Sequence, residues 1–162
     1  MSNKLKEISE LQDIVQNYKE KDEKIVFTNG CFDLLHIGHI RYLYKAKEFG
    51  SILIVALNSD KSVKDLKGEN RPIIKEKERA ELLSALEMID YITIFDDLTC
   101  KNIIKKLKPD IYVKGGDYTK ETLPEWSVVT EYGGEVRLVK EIKGQSTTSL
   151  IEKIAKIYKD HK

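Results

Sequence analysis

Apolar residues along the chain form two alternating patterns. Short continuous apolar runs, such as residues 52–57, are typical of strands buried on both faces, and apolar residues spaced three or four apart are typical of helices. The runs predict strands at residues 25–27, 52–57, 91–94, 111–113 and 135–139. The spaced patterns predict helices at residues 4–18, 37–48, 75–86, 101–107, 123–131 and 146–158.

This alternation predicts the fold class and the organisation of the chain. Strands that alternate with helices favour an α/β fold, a Rossmann-like doubly wound parallel sheet of about five strands with helices on both faces. Residues 1–23 form an amphipathic helical extension in this interpretation, and residues 24–162 form one domain. Such sheets bind ligands at the carboxyl ends of their strands.

Individual residues predict where some of these strands and helices end and which helix face is buried. Residues 28–30 are expected to interrupt the first strand, and Gly50 to cap the helix that precedes it. Residues 61–71 are strongly polar, which predicts an irregular and mobile stretch. In the helix that follows, Leu82, Leu83 and Leu86 are expected to face inward.

Composition narrows the functional classes. The 28 Lys and Arg residues and 27 Asp and Glu residues leave a net charge of +1, which argues against binding nucleic acid through bulk charge. Cys31 and Cys100 have no metal-ligand spacing and are expected to be reduced thiols. The chain begins without an apolar signal region, and its longest apolar run is too short to cross a bilayer. We therefore expect a cytoplasmic protein that binds neither nucleic acid nor membrane.

The most informative segment is residues 28–39, Thr-Asn-Gly-Cys-Phe-Asp-Leu-Leu-His-Ile-Gly-His. It joins the first strand to the next helix, where Gly30 allows the backbone to approach a ligand closely. His36 and His39 are three residues apart and share one helix face, and Gly38 between them leaves room for a phosphate. With the helix N-terminus, the two imidazoles form an anion clamp. The alternatives are two surface histidines at a helix start and a zinc site completed by Asp33.

This segment resembles the H-x-G-H signature of the nucleotidylyltransferase superfamily, which includes cytidylyltransferases and pantetheine-phosphate adenylyltransferases. Residues 24–156 are similar to the members that transfer AMP to D-glycero-β-D-manno-heptose 1-phosphate and make ADP-heptose for the lipopolysaccharide core. The further segments that carry this similarity are residues 58–60, 66–68, 71–73, 114–118, 133–136 and 146–148.

The resemblance implies an enzyme that uses ATP, Mg²⁺ and a sugar 1-phosphate, and forms a homodimer. The implied catalytic residues are His36, His39 and Lys67. The implied substrate-binding residues are Asp33, Asn58 and Arg71. The implied nucleotide-binding residues are Thr28, Asn29, Gly30, Cys31, Phe32, Gly38, Lys114, Gly115, Gly116, Asp117, Ser146, Thr147 and Thr148.

Several of these residues have a simpler interpretation. Asp33 and the hydroxyl residues 146–148 are also typical helix caps. Lys64, on the same stretch as Lys67, is an ordinary solvated lysine in this interpretation. Arg79 is a further candidate for a charged ligand contact, or pairs with Glu76 or a neighbouring carboxylate.

Three other functions compete with adenylyl transfer. A cytidylyltransferase acting on glycerol 3-phosphate would resemble this chain, but that group has an Arg-Thr pair before the last helix, which is missing from residues 141–148. A nucleotide-binding regulator would be favoured by loss of a histidine, and both are present. A dinucleotide oxidoreductase requires G-x-G-x-x-G after the first strand, where this chain has no such run.

Overall fold

A single five-stranded parallel sheet forms the centre of the computed structural model, which describes residues 3–140 and 146–159. The strands are β1 (Ile25–Gly30), β2 (Ile52–Asn58), β3 (Tyr91–Phe95), β4 (Ile111–Gly115) and β5 (Glu135–Val139). Their order across the sheet is β3-β2-β1-β4-β5, and every neighbouring pair is parallel. The prediction of a doubly wound parallel sheet is therefore confirmed.

The strand order places a ligand crevice beside β1. The chain winds from β1 outward to β3, then returns to the other side of β1 and continues through β4 and β5. Thr28 of β1 lies opposite both Val55 of β2 and Val113 of β4. Loops on the two sides of such a switch point diverge, and this leaves a crevice at the carboxyl ends of β1 and β4.

Helices cover both faces of the sheet. They are α1 (Ile8–Lys19), α2 (Ile37–Lys47), α3 (Asp60–Lys67), α4 (Glu76–Ser84), α5 (Lys101–Leu107), α6 (Trp126–Glu131) and α7 (Thr147–Lys159). Alternate strand residues enter two separate cores, so that Phe27 packs with α1, α5 and α6 whereas Val26 packs with α2 and α4. Burial on both faces explains why the strands are continuous apolar runs. No helix among the described residues is long and apolar enough to cross a membrane.

The N-terminal helix packs on the domain. Leu11 of α1 is fully buried and Val15 almost so, in the same core as Phe27. The helix begins at Ile8, later than predicted, because the preceding residues pair with the edge of the sheet. Ile92 of β3 donates its N–H to the Lys4 carbonyl at 2.8 Å, and its carbonyl accepts the Lys6 N–H at 2.8 Å.

Two predictions about the segments at the carboxyl ends of the strands were wrong. Residues 28–30 do not interrupt β1, because Gly30 still pairs with Leu57 of β2. The polar stretch predicted to be irregular is largely helix α3, which begins where Ser59 accepts the Ser62 N–H at 3.2 Å. Gly68 ends this helix with a φ of 97°, a conformation that favours glycine.

Two smaller expectations also failed. Leu82 was expected to face inward, but it is 45% exposed, whereas Leu83 is fully buried. Gly50 is not the cap of α2, since Glu48 takes that position. A side chain at Gly50 would place its Cβ 2.7 Å from the Lys24 carbonyl oxygen, so this position needs glycine for close approach.

Candidate active site

The loop after β1 places His36 at the start of α2. Its backbone is extended, with φ of −141°, and its Nδ1 accepts the Gly38 N–H at 3.1 Å. Because Nδ1 accepts, the proton of a neutral His36 ring lies on Nε2. The unpaired backbone N–H groups of the first turn add partial positive charge at the same place.

The second histidine lies against the first, as the sequence predicts. The ring centroids of His36 and His39 are 3.9 Å apart and the rings are stacked at 25°. Phe32 is a loop residue with φ of 44°, and the centroid of its ring lies 5.2 Å from that of His39. Among the described residues, Nδ1 of His39 is buried without a hydrogen-bond partner. Burial, followed by the charge of His36, lowers the pKa of His39 to about 4, against a partial opposing effect of the Leu34 backbone. His39 is therefore neutral at pH 7.

The low pKa of His39 predicts a loss of stability in mild acid. An unfolded imidazole binds its proton near pH 6.5, whereas folded His39 does so near pH 4. Between these values the unfolded state binds more protons, so the free energy of unfolding falls as the pH falls, by at most about 3 kcal/mol and less for a partly exposed ring. Urea titrations should show that the free energy of unfolding falls less between pH 7 and pH 4.5 in His39→Gln than in the wild type. Equal losses in the two proteins would contradict the assignment.

Four cations surround the turn between β1 and α2. Burial raises the pKa of the half-buried Cys31 thiol, and four positive charges act against that increase. They belong to Lys67, Arg79, Lys114 and Arg71. These residues come from α3, α4, β4 and the loop before α4, so positive charge from four separate segments acts at this turn.

Asp33 holds one of these segments in place. Its carboxylate is 1% exposed, accepts from Arg71 Nε at 2.6 Å, and also accepts the backbone N–H groups of Ile73 and Ile74 at 2.9 Å. Burial alone would raise the pKa of Asp33, but the Ile74 and Ile73 N–H groups and Arg71 outweigh it and lower the pKa. Since His36 caps α2, the helix-cap interpretation of Asp33 was wrong.

Arg79 is a buried clamp, not an exposed ligand group. Its side chain is fully buried, and it donates to the carbonyls of Cys31 at 2.5 Å and Asn58 at 2.9 Å. It also pairs with Asp60 at 2.9 Å, so of the two predicted alternatives the partner is a neighbouring carboxylate and not Glu76. Arg79 thereby fixes the chain just beyond β1 to the end of β2.

Two of the predicted ligand residues lie beneath the surface. The Thr28 side chain is fully buried, and its hydroxyl is 2.6 Å from that of Tyr42, which donates to the Val113 carbonyl at 3.0 Å. Asn58 is 2% exposed and its Nδ2 donates to Ser62 Oγ at 2.9 Å. In this structure both side chains bond within the protein and fix the carboxyl ends of the strands.

The β4 edge supplies the other wall of the crevice. Asn29 Oδ1 accepts from Tyr112 Oη at 2.7 Å and from Lys114 Nζ at 3.0 Å. Gly115 ends β4, where a Cβ would lie 3.3 Å from the Tyr42 ring. Gly116 has a φ of 115°, a conformation that favours glycine, and Asp117 follows it as an exposed residue.

The last helix begins beside the histidine turn. Thr147 Oγ1 lies 3.5 Å from the Leu34 carbonyl oxygen, and Ser146 Oγ accepts the Ser149 N–H at 3.1 Å. Ser146 is thus a cap, and the neighbouring Thr148 is exposed. Residues 141–145, part of the segment with the missing Arg-Thr pair, lie outside the described residues.

Most of the residues implied by the sequence therefore come together. The histidine pair, Lys67, Lys114, Arg71 and the start of α7 converge on the carboxyl ends of β1 and β4. Sequence reasoning missed Tyr42 and Tyr112, whose hydroxyls tie Thr28 and Asn29 to their surroundings. For Tyr112 the available signal was a tyrosine within an apolar strand, since a buried phenol requires a hydrogen-bond partner.

Comparison with known proteins agrees with this geometry. Residues 27–157 match the family model described as Cytidylyltransferase-like. The chain is 53% identical over 155 residues to the bifunctional protein HldE of Geobacter metallireducens, and 50% identical over 155 residues to that of Geobacter sulfurreducens. Each match covers 96% of this chain and 32% of the relative, so the chain spans about a third of the length of these curated relatives.

Two solved structures share the fold. A lipopolysaccharide core biosynthesis protein from Thermoplasma volcanium aligns with a TM-score of 0.61 and 30% identity, over 75% of this chain and 98% of that one. The pantoate-β-alanine ligase of Francisella tularensis aligns with a TM-score of 0.62 over 96% of this chain and 77% of that one. Its identity is 18%, so that likeness concerns the fold alone.

Proposed function

The chain belongs to the cytidylyltransferase-like family of nucleotidyltransferases, and we propose that it transfers AMP from ATP to a sugar 1-phosphate. The proposed acceptor is D-glycero-β-D-manno-heptose 1-phosphate, which would give ADP-heptose for the lipopolysaccharide core and release pyrophosphate. The observation that carries the proposal is the stacked histidine pair at a helix N-terminus, with Lys67, Lys114 and Arg71 near the adjoining turn. The names of the relatives support the choice of acceptor.

The reaction is a direct displacement. A phosphate oxygen of the sugar 1-phosphate attacks the α-phosphorus of ATP and forms the new P–O bond. The bond from the α-phosphorus to the oxygen that bridges to the β-phosphate breaks, and pyrophosphate leaves with the electron pair. Because the attacking oxygen is already anionic at pH 7, the protein needs no nucleophile and supplies positioning and charge neutralisation.

The histidine turn binds the α-phosphate in this proposal. His36 donates from Nε2, His39 donates beside it, and the N–H groups at the start of α2 add to the same field. The backbone of residues 30–32 lies along the phosphates. A neutral His39 donates a hydrogen bond without carrying a full charge in the free enzyme, and nearby phosphate would raise its pKa again on binding.

The surrounding segments bind the rest of the nucleotide and the acceptor. Lys67 and Lys114 neutralise the phosphates, residues 115–117 hold the ribose and base, and residues 146–148 bind the leaving pyrophosphate. Asp33 orders Arg71, which faces the acceptor, so its contribution to substrate binding is exerted through the loop that it holds.

Mg²⁺, a homodimer and a cytoplasmic location belong to the same proposal. Among the residues that the structure describes, no three His, Cys, Asp or Glu side chains are grouped to hold a metal. The triphosphate and water therefore bind Mg²⁺ in this account, and the ion supplies charge neutralisation there. The dimer can be checked by light scattering of the purified protein.

Lys67 and Lys64 form a matched pair for testing the phosphate contact. Both are exposed on α3, but only Lys67 acts on the pKa of Cys31, whereas Lys64 pairs with Glu69 at 2.9 Å. A charged hydrogen bond contributes about 1.5–3 kcal/mol, so Lys67→Met should lower kcat/KM for ATP by about tenfold to a hundredfold. Lys64→Met should change kcat/KM less than about twofold. Equal losses of kcat/KM in the two variants would show that Lys67 does not contact the nucleotide phosphates.

Isotope labelling tests AMP transfer itself. With ATP labelled at the α-phosphorus, the label should appear in the sugar nucleotide, and with label at the γ-phosphorus it should appear in pyrophosphate. Label from the γ-position in the sugar product would identify a kinase and overturn the proposal.

Cytidylyl transfer is the second candidate, because the matching family model is described by that activity. In that case CTP would replace ATP, and glycerol 3-phosphate or another phosphorylated alcohol would be the acceptor. The same labelling with CTP distinguishes the two nucleotides.

A further inference from the structure

A chain of hydrogen bonds runs from the nucleotide crevice into the core. Tyr112 of β4 is fully buried, and its hydroxyl donates to Asn29 Oδ1 at 2.7 Å. On its other side the Cys100 Sγ lies 3.7 Å from the same hydroxyl and 3.7 Å from a carboxylate oxygen of Glu125. The bond to Asn29 is the short one, so Asn29 is the group that the Tyr112 hydroxyl chiefly orients.

The second partner of Asn29 fixes the direction of its amide. Lys114 Nζ lies 3.0 Å from Oδ1, and an ammonium group can only donate. The atom facing it must therefore be the oxygen, and its two acceptor positions are filled by Tyr112 and Lys114. The Asn29 side chain then has only its NH₂ group, a donor, left to offer a ligand. The residue lies at the carboxyl end of β1 and is 9% exposed.

The Tyr112 hydroxyl keeps its proton under all ordinary conditions. Burial, and after it the neighbouring Cys100 and Glu125, raise the pKa of Tyr112 far above its usual range. The hydroxyl thus donates to Asn29 throughout the pH range in which the protein is folded. Lys114 and the amide of Asn29 together present only donors to the crevice, and this suits an anion.

We propose that Tyr112 is a positioning residue for nucleotidyl transfer, whose buried hydroxyl holds Asn29 and Lys114 as a donor-only wall against the phosphates of the bound nucleotide. This inference rests on the proposed function of the crevice. It adds a residue that touches no ligand and acts through Asn29. It also gives the buried phenol in β4 a role beyond packing.

Tyr112→Phe is the first variant, because it keeps the ring and removes only the hydroxyl. The expected result is a fall in kcat/KM for the nucleotide of about tenfold, because Asn29 and Lys114 would no longer be held in position to donate to the phosphates. The matched control is Tyr132→Phe, which removes a hydroxyl that donates to the Pro109 carbonyl at 2.9 Å, away from the crevice. Both variants should unfold at similarly lowered temperatures, but Tyr132→Phe should keep wild-type turnover.

A double-mutant cycle separates positioning from general destabilisation. If Tyr112 acts through Asn29, the double variant Tyr112→Phe with Asn29→Ala should be no worse than Asn29→Ala alone, within about twofold. Losses that multiply would overturn the inference, as would an unchanged kcat/KM in Tyr112→Phe. Asn29→Ser replaces Asn29→Ala in the cycle if the alanine variant does not fold.

The same cycle is read from the Kd of ATP by calorimetry, which does not require turnover. If the wild type binds ATP but releases no pyrophosphate with any acceptor, the proposed function fails, while non-additive changes in Kd still support Tyr112 as the residue that orients Asn29 for nucleotide binding. Additive changes in Kd overturn the role of Tyr112 and leave the proposed function intact. A wild type that binds no nucleotide overturns both.

Discussion

Replacing His39 with alanine is expected to lower pyrophosphate release at least about a hundredfold while the fold survives. Negative charge develops on the α-phosphate during the displacement, and His39 is stacked on His36 at 3.9 Å where that phosphate would bind. Loss of one oriented donor to such charge typically costs about 2.7–4 kcal/mol of transition-state stabilisation. Steady-state pyrophosphate release, with circular dichroism to confirm folding, measures the effect.

Tyr44→Phe on the same helix is the control for His39→Ala. The Tyr44 hydroxyl donates to Glu87 at 2.8 Å on the exposed side of α2, so its removal should leave turnover unchanged. Near-normal turnover in folded His39→Ala would contradict the assignment of the histidine turn as the catalytic centre.

Asp33→Asn is expected to destabilise the protein by about 2–4 kcal/mol and to lower turnover at least about tenfold. The carboxylate accepts one guanidinium and two backbone N–H donors, and an amide offers a single acceptor atom in its place. The Arg71 guanidinium would lose its partner while only 17% of its side chain is exposed. The loop of residues 71–74 would then lose its anchor beside the site.

Urea unfolding of Asp33→Asn beside Glu69→Gln measures this effect. Glu69 also accepts from a cation, Lys64, but its side chain is 86% exposed, and such solvent-screened pairs contribute little to stability. Similar, small changes in both variants would show that the buried carboxylate does not hold the loop.

The sequence predicted the sheet because apolar continuity is a local property. A strand such as β2 is buried on both faces, so its apolar run marks it without reference to the rest of the chain. The proximity of the two histidines was also predictable locally, although His36 is the N-cap of α2 and not part of the helix face that the sequence predicted. The resemblance to the nucleotidyltransferases, carried by such local motifs, is confirmed by the comparisons.

Helix α3 was missed because its stability does not come from an apolar stripe. Only Ser62 and Val63 of this helix are buried, and the helix is fixed by the Ser59 cap and by Asp60, whose carboxylate accepts from Arg79 and from the Glu76 N–H. These partners of Asp60 belong to α4, which lies later in the chain. The spacing of residues within 61–71 therefore could not reveal the contacts that hold α3 in place.

The roles of the residues that support the site were missed because these residues act at long range. Arg79, named only as a possible ligand or ion-pair residue, bonds to a carbonyl 48 positions away, and Tyr112 bonds to an amide 83 positions away. Asp33 was identified, but its partners lie 40 and 41 positions away, so its role as a loop anchor depends on the fold. Such pairings follow from the topology of the sheet and from no spacing in the sequence.

Pyrophosphate release tests the central claim most directly, with ATP and CTP each offered D-glycero-β-D-manno-heptose 1-phosphate, glycerol 3-phosphate or pantetheine 4′-phosphate. The account predicts rapid release only with ATP and the heptose phosphate. Rapid release with CTP and glycerol 3-phosphate would contradict it and identify a cytidylyltransferase, and no release with any pair would contradict it in favour of a nucleotide-binding regulator.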